Sequence, residues 1–327
     1  MNKMSHTPKP SGEAKRSDAA AQRSLIPPAG PSWTGSLMGT SIIAALLAIH
    51  GQAAVGLVFA VIGAGLLAVT LYGLARYRSP RFLPEYMGPW GMFAMGVISL
   101  GSAWTAISGD SIYQLIGYPT GGVGGFIIAL NQWRKFVGSP NFQWGLALVV
   151  PMVAATNAAQ LGFIGLGRFG FILVWIIGVP VFVYVYFALM RRRTTIPVLL
   201  GHTAWIPVGV VGQSTAAAQL LFPQGFGLAY ATVMLPLGAA ASVFALYHEF
   251  RTVRAWAPYN PAWWGATFPA GTMSLGTHFV AVNAQMPIFD LLSQIFLGLL
   301  IFNWCVCVLR FSFWFSQPYR TGKGEAK

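Results

Sequence analysis

The sequence predicts an all-α polytopic membrane protein, with ten transmembrane helices paired as five helical hairpins. Three observations predict it: a composition too apolar for a soluble fold, ten apolar stretches of spanning length, and a strict alternation in where the basic residues fall. Of 327 residues, 55% are hydrophobic and 8% are charged, against about 25% charged in soluble domains. In a soluble chain the formal net charge of +13 would suggest nucleic acid. Here the basic residues sit in short loops and tails between apolar stretches, where they act as topology signals. No aromatic-basic patch of the nucleic-acid-binding kind is present, so no nucleic-acid partner is expected.

Residues 1–31 are polar, with Lys3, Lys9, Lys15, Arg16 and Arg23 among Ser, Pro and Ala, and read as a disordered basic tail. The charged stretch is too long for a secretory signal, and a spanning segment follows without an obvious cleavage site. The ten segments lie at about 33–50, 53–75, 88–107, 112–133, 143–162, 169–190, 203–222, 226–248, 262–283 and 288–313, each close to the roughly 17–25 residues that cross a bilayer. Residues 32–315 thus form one transmembrane domain, and 316–327 a short C-terminal tail.

The basic residues test this count. Loops after even segments carry Arg76, Arg78, Arg81, Arg134, Lys135, Arg191, Arg192, Arg193, Arg251 and Arg254, whereas loops after odd segments carry Arg168 alone. By the positive-inside rule the even loops and both tails face the cytoplasm. Arg320, Lys323 and Lys327 at the C-terminus agree, and an odd number of spans would leave one basic tail outside.

A repeat underlies the ten segments. Taking Gly39, Gly96, Ala154, Gly212 and Gly271 as centres of the odd segments, the spacing is 57, 58, 58 and 59 residues. The odd segments also collect helix-spoiling residues: Pro151 with Asn157, Pro207 with Gln213, and Pro269 followed by Thr272. The even segments hold the larger apolar residues, as in Phe171 to Leu189. A two-helix unit repeated five times is the simplest reading, with small-residue odd helices inside an outer, lipid-facing ring. Each glycine then either lets backbones pack closely or lines a pore. Trp263 to Thr277 is the densest such stretch, with Phe268 at its bend. Its residues fall on two stripes, Thr267, Gly271, Ser274 and His278 on one and Phe268, Thr272, Leu275 and Phe279 on the next. The bend at Pro269 shifts the phase, so periodicity leaves open which stripe faces inward.

No enzyme constellation is present. Ser41, Ser102 and Ser274 and His50, His202 and His278 are not joined by any signature of nucleophile, base and orienting group. Gly121-Gly122-Val123-Gly124-Gly125 lacks the Gly-Lys-Ser/Thr ending of a phosphate loop. The spans hold no His-x-x-x-His pair, and Cys305 and Cys307 have no His or acid beside them, so no metal and no cofactor is expected. The odd segments contain no internal Lys, Arg, Asp or Glu. A path lined by hydroxyls, amides and backbone holds ions weakly and lets them leave. With nothing acidic to favour a cation, small anions are the expected cargo. Asn157, Gln160 and Gln213 either contact the anion or bridge helices. His278 either relays protons, which would suit a proton-coupled carrier, or is a neutral interhelical bridge. A non-transporting membrane subunit is the alternative of another class.

Trp263-Trp264-Gly265-Ala266-Thr267-Phe268-Pro269, followed by Gly276-Thr277, resembles the ninth-helix motif of the tellurite-resistance/dicarboxylate transporter family. That family includes bacterial tellurite-resistance permeases, fungal malate permeases and sulfite efflux pumps, and plant slow anion channels. Met38-Gly39-Thr40-Ser41-Ile42-Ile43 is similar to its first-helix motif and Phe93-Ala94-Met95-Gly96 to its third. Trp205-Ile206-Pro207-Val208-Gly209 with Gly212-Gln213 resembles the seventh helix of the sulfite and malate branches, although Val210-Val211 stands where Gly-Pro is expected. The resemblance covers about residues 33–315. It implies quasi-five-fold symmetry around a central pore, a homotrimer with one pore per subunit in the cell membrane, and a phenylalanine plug, which by motif position is Phe268. It also implies transport of anions of the chloride, nitrate, sulfite, tellurite and C4-dicarboxylate (malate) classes.

Overall fold

The computed structural model describes residues 30–316, apart from Ser79. The expected tails, with their eight lysines and arginines, lie outside the described residues except for residues 30, 31 and 316. Among the described residues there are ten long helices and no strand: α1 (Gly35–Ile49), α2 (Ala53–Tyr77), α3 (Met87–Ser108), α4 (Ile112–Trp133), α5 (Val150–Gln160), α6 (Ile164–Met190), α7 (Ile206–Leu221), α8 (Gln224–Arg254), α9 (Thr267–Ala284) and α10 (Pro287–Ser316). Six helical stretches are long and apolar enough to cross a membrane: α2, α6, α8, α10, and α3 and α5 counted with the turns that lead into them. The others are shorter or more polar, because glycines and hydroxyls replace large apolar side chains.

The odd helices touch one another in a closed ring: α1 on α3, α3 on α5, α5 on α7, α7 on α9, and α9 back on α1. Each even helix packs outside, against the odd helix before it and the odd helix after it, and α10 closes onto α1. Burial follows this division. In α1, 13 of 15 residues are buried, whereas α2 buries only Gly56, Ala60, Gly63, Thr70 and Gly73 of its 25. Large apolar side chains stand exposed on the outer ring, among them Val58, Ile116, Ile176, Val243 and Phe302. An apolar belt of this extent suits lipid rather than water.

Every odd helix is entered through a 3₁₀ turn: Pro31–Trp33, Pro84–Tyr86, Phe142–Gly145, Val198–Trp205 and Pro261–Ala266. The sequence explains these entries. Pro31, Pro84 and Pro261 have no N–H to lose at a first turn. Asn141 Oδ1 accepts from the Gln143 N–H (3.0 Å), and Asn260 Oδ1 accepts from the Ala262 N–H (2.8 Å), satisfying donors that the turn leaves free. At the far end of α1 the hairpin closes through Gly51, whose φ of 79° favours glycine. The sixth stretch is a broken helix. Pro180 lacks the donor for the Ile176 carbonyl, and the α-helical pattern lapses at Gly178.

Candidate functional site

The ring of odd helices encloses two cavities that meet at Phe268. The first, about 100 Å³, lies where the odd helices begin, among Met38, Met92, Met95, Val149, Ile206 and Trp264. The second, about 350 Å³, lies toward their far ends, among Ser99, Ser102, Thr156, Asn157, Gln160 and His278. Phe268, Val153 and Gln213 line both, and so mark the level where one gives way to the other. Phe268 is 7% exposed and packs in one apolar cluster with Ile42, Met95, Val153 and Val210. The first cavity shares Met92, Gln143, Leu146, Pro261 and Ala262 with a wider cavity of about 370 Å³ that reaches Glu85 and Gln132.

The motif around Phe268 fixes the ring's position. Trp263, fully buried, donates its indole N–H to the Pro258 carbonyl (3.2 Å), and Trp264 donates to the Tyr259 hydroxyl (2.8 Å). The Thr267 hydroxyl bonds the Trp264 carbonyl (2.8 Å), closing the 3₁₀ turn onto α9. The Thr272 hydroxyl lies within bonding distance of the Pro269 carbonyl (2.8 Å) and the Gly209 carbonyl (3.1 Å), tying α9 to α7. One turn on from Phe268, Gly271 leaves room for Ile42: a Cβ there would sit 2.7 Å from Ile42 Cγ2. The motif therefore clamps α9 on three sides and leaves one aromatic ring between the cavities.

The second cavity is polar without being charged. Gln213 Nε2 donates to Thr156 Oγ1 (2.6 Å), Ser102 Oγ to Asn157 Oδ1 (3.0 Å), and Gln114 Nε2 to Gln160 Oε1 (2.5 Å). These bonds span α3, α4, α5 and α7, so Asn157, Gln160 and Gln213 both bridge helices and face the cavity. Among the described residues, the linings of these two cavities contain no Lys, Arg, Asp or Glu.

The sequence-derived candidates divide into two groups. Phe268, Pro269, Asn157, Gln213 and His278 line the cavities. Gly39, Gly96, Gly212, Gly271, Pro151, Pro207 and Thr272 do not. The four glycines face neighbouring helices: a Cβ would meet Thr267 at Gly39, Leu37 at Gly96, Ile42 at Gly271, and the backbone of Thr272 and Met273 at Gly212. Pro151 and Pro207 sit in the first turn of α5 and α7, where they start helices rather than bend them. The inward stripe of α9 is the one bearing Phe268, Leu275 and Phe279, joined by His278, while Thr267, Gly271 and Ser274 pack against α1 and α10. The sequence reading missed the methionines of the first cavity. Their signal is the repeated pair Met38-Gly39 and Met95-Gly96, in which the glycine packs and the methionine turns inward. It also missed a meeting of His50, His278 and Asp290 at the far end of the second cavity.

With this geometry in place, the comparison with protein families is decisive: the model for voltage-dependent anion channels matches residues 29–311. The chain belongs to the voltage-dependent anion channel family. A search of curated proteins gave no match. As a member of this anion channel family the protein is a multi-pass membrane transport protein for anions and not an enzyme.

Proposed function

We propose that the protein is an anion channel of the cytoplasmic membrane, with ten spans, both ends in the cytoplasm, and a path through the odd-helix ring gated by Phe268. The observation that carries this reading is the combination of an uncharged lining with five helix starts at one end. The N-terminal turns of α1, α5, α7 and α9 border the first cavity, and α3, which starts at the same end, reaches it through Met92 and Met95. Each brings about half a positive charge from its backbone. Arg76 and Arg251, in the last turns of α2 and α8, and Arg134 and Arg191, at the C-caps of α4 and α6, lie at that same end. An anion is thus attracted to the mouth by charge, yet is met inside by amides, hydroxyls, apolar side chains and the His278 imidazole, with no Lys or Arg to hold it, and so is released again. In this reading the hairpins are related by quasi-five-fold symmetry, as the closed ring and five 3₁₀ entries suggest. The trimer implied by the resemblance then assembles three separate paths. Sulfite, C4-dicarboxylate, tellurite, chloride and nitrate are the cargo classes to compare.

Purified protein in liposomes tests the channel reading against a proton-coupled carrier. Voltage-driven flux of several small anions, indifferent to an imposed pH gradient, is the expected result. Uptake of one anion that requires the gradient would replace the channel with a coupled carrier, and absence of flux would leave a non-transporting subunit. Gln213 gives a second prediction. Gln213→Leu keeps the volume but removes the amide at the junction of the cavities, and anion flux should fall about tenfold or more, equivalent to about 1.4 kcal/mol of barrier. Unchanged flux would mean that Gln213 only bridges to Thr156.

A further inference from the structure

His50, His278 and Asp290 are 228 and 12 residues apart in sequence, on three different helices: the C-cap of α1, the second half of α9 and the first turn of α10. The structure brings one donor atom from each within 4.8 Å of the others. The histidine rings meet edge to face with centroids 5.2 Å apart, and His278 Nδ1 lies 4.0 Å from Asp290 Oδ1. Other side chains hold two of the three groups. Gln294 Nε2 donates to Asp290 Oδ2 (2.9 Å), leaving Oδ1 turned toward His278. The Ser293 hydroxyl is 3.1 Å from His50 Nε2 and is itself anchored on the Ser274 carbonyl (2.8 Å). Such outer contacts are what orient ligands in metal sites. One further observation points to a ligand: His278 Nδ1 is buried and has no hydrogen-bond partner. A buried ring nitrogen left bare costs free energy unless something occupies its lone pair or proton.

We infer that this cluster is a binding site for a zinc-class divalent cation at the outer end of the second cavity. Two imidazoles and one carboxylate suit zinc and its neighbours, whereas calcium and magnesium prefer all-oxygen sets. With metal–ligand bonds of about 2.0–2.2 Å the donors of a tetrahedral site stand about 3.4 Å apart. The observed spacing therefore closes by side-chain rotation of about 1 Å. Three protein donors leave a fourth position for water or an anion, as in open zinc sites. His278 also lines the cavity, so a bound ion places fixed positive charge beside the path. It also ties the end of α1 to α9 and α10, the seam where the first and last hairpins of the ring meet. The site stands on this geometry alone and does not depend on the path conducting.

The test uses the full chain in detergent, with any affinity tag removed, and zinc chloride as the probe. Calorimetric titration should give one zinc per chain, and zinc should raise the thermal midpoint of unfolding. Both effects should be lost in His278→Gln and in Asp290→Asn. They should persist in His248→Gln, a histidine on α8 at the opposite end. Asp290 is 46% exposed, so Asp290→Asn should fold with an unchanged midpoint in the absence of metal. Zinc binding that survives both substitutions would overturn the assignment, as would a wild-type chain that takes up no zinc at 1:1 stoichiometry.

Discussion

Phe268→Ala is expected to raise anion flux by at least about tenfold in proteoliposomes, as chloride or nitrate efflux under an imposed voltage would measure. The ring is the largest side chain shared by the two cavities. It packs against Ile42, Met95, Val153 and Val210, so an anion passing this level must either displace it or shed its water against apolar groups. Removing the ring joins a cavity of about 100 Å³ to one of about 350 Å³. A tenfold gain corresponds to about 1.4 kcal/mol of barrier, less than the cost of exposing a small anion to a dry apolar ring. Truncating a fully packed phenylalanine costs about 3–5 kcal/mol, but here space lies on both sides of the ring, so the variant should lose less and stay folded. Phe268→Leu, which keeps an apolar plug, should fall between the two. Flux unchanged in both variants would remove Phe268 from the gate.

Gly212→Val should abolish folding or lower stability by about 3 kcal/mol or more, read as loss of the monodisperse peak after heating detergent-solubilised protein. A Cβ at Gly212 would run into the backbone of Thr272 and Met273, and a backbone cannot swing aside as a side-chain tip can. The reciprocal contact is as close: a Cβ at Gly276 would lie 2.5 Å from the Gly212 carbonyl oxygen. The α7–α9 crossing is thus a glycine-to-backbone seam, and the Thr272 hydroxyl that reaches Gly209 sits beside it. Gly65→Val is the matched control. Gly65 lies on α2 with nothing within 4 Å of its would-be Cβ, and that substitution should leave stability within about 0.5 kcal/mol. Equal behaviour of the two would mean that α7 and α9 do not approach as described.

The even helices were legible in the sequence almost to their ends. Segments read at 226–248 and 288–313 became Gln224–Arg254 and Pro287–Ser316, because long apolar runs favour a spanning helix even where one proline, as at Pro236, interrupts them. The odd helices were legible in place but not in form. The segment read at 143–162 holds α-helix only from Val150, since the entry at Phe142–Gly145 is 3₁₀. Pro151 and Pro207, helix-spoiling by type, therefore lie at helix starts. Composition signals that a helix is interrupted, but whether a proline kinks or begins it depends on which carbonyls the preceding turn satisfies. The motif position of Phe268 was readable, whereas for Asn157 and Gln213 the sequence left open whether they face the path or bridge helices, and both line a cavity while bonding to a neighbouring helix. The methionines of the first cavity were hidden, because a methionine in an apolar run looks like any packed side chain. The glycines gave an ambiguous signal that only their neighbours resolve. His50, His278 and Asp290 could not be joined from sequence, since their meeting depends on the ring closing α1 against α9 and α10.

The central claim is that this chain carries anions past Phe268 through its own ring of odd helices. Its most direct test is the reversal potential of current through the purified protein in a planar bilayer with potassium chloride at unequal concentrations, for wild type and Phe268→Ala. The account predicts a larger current in the variant that reverses near the chloride equilibrium potential. Reversal near the potassium potential, or a Phe268→Ala current no different from wild type, would contradict it.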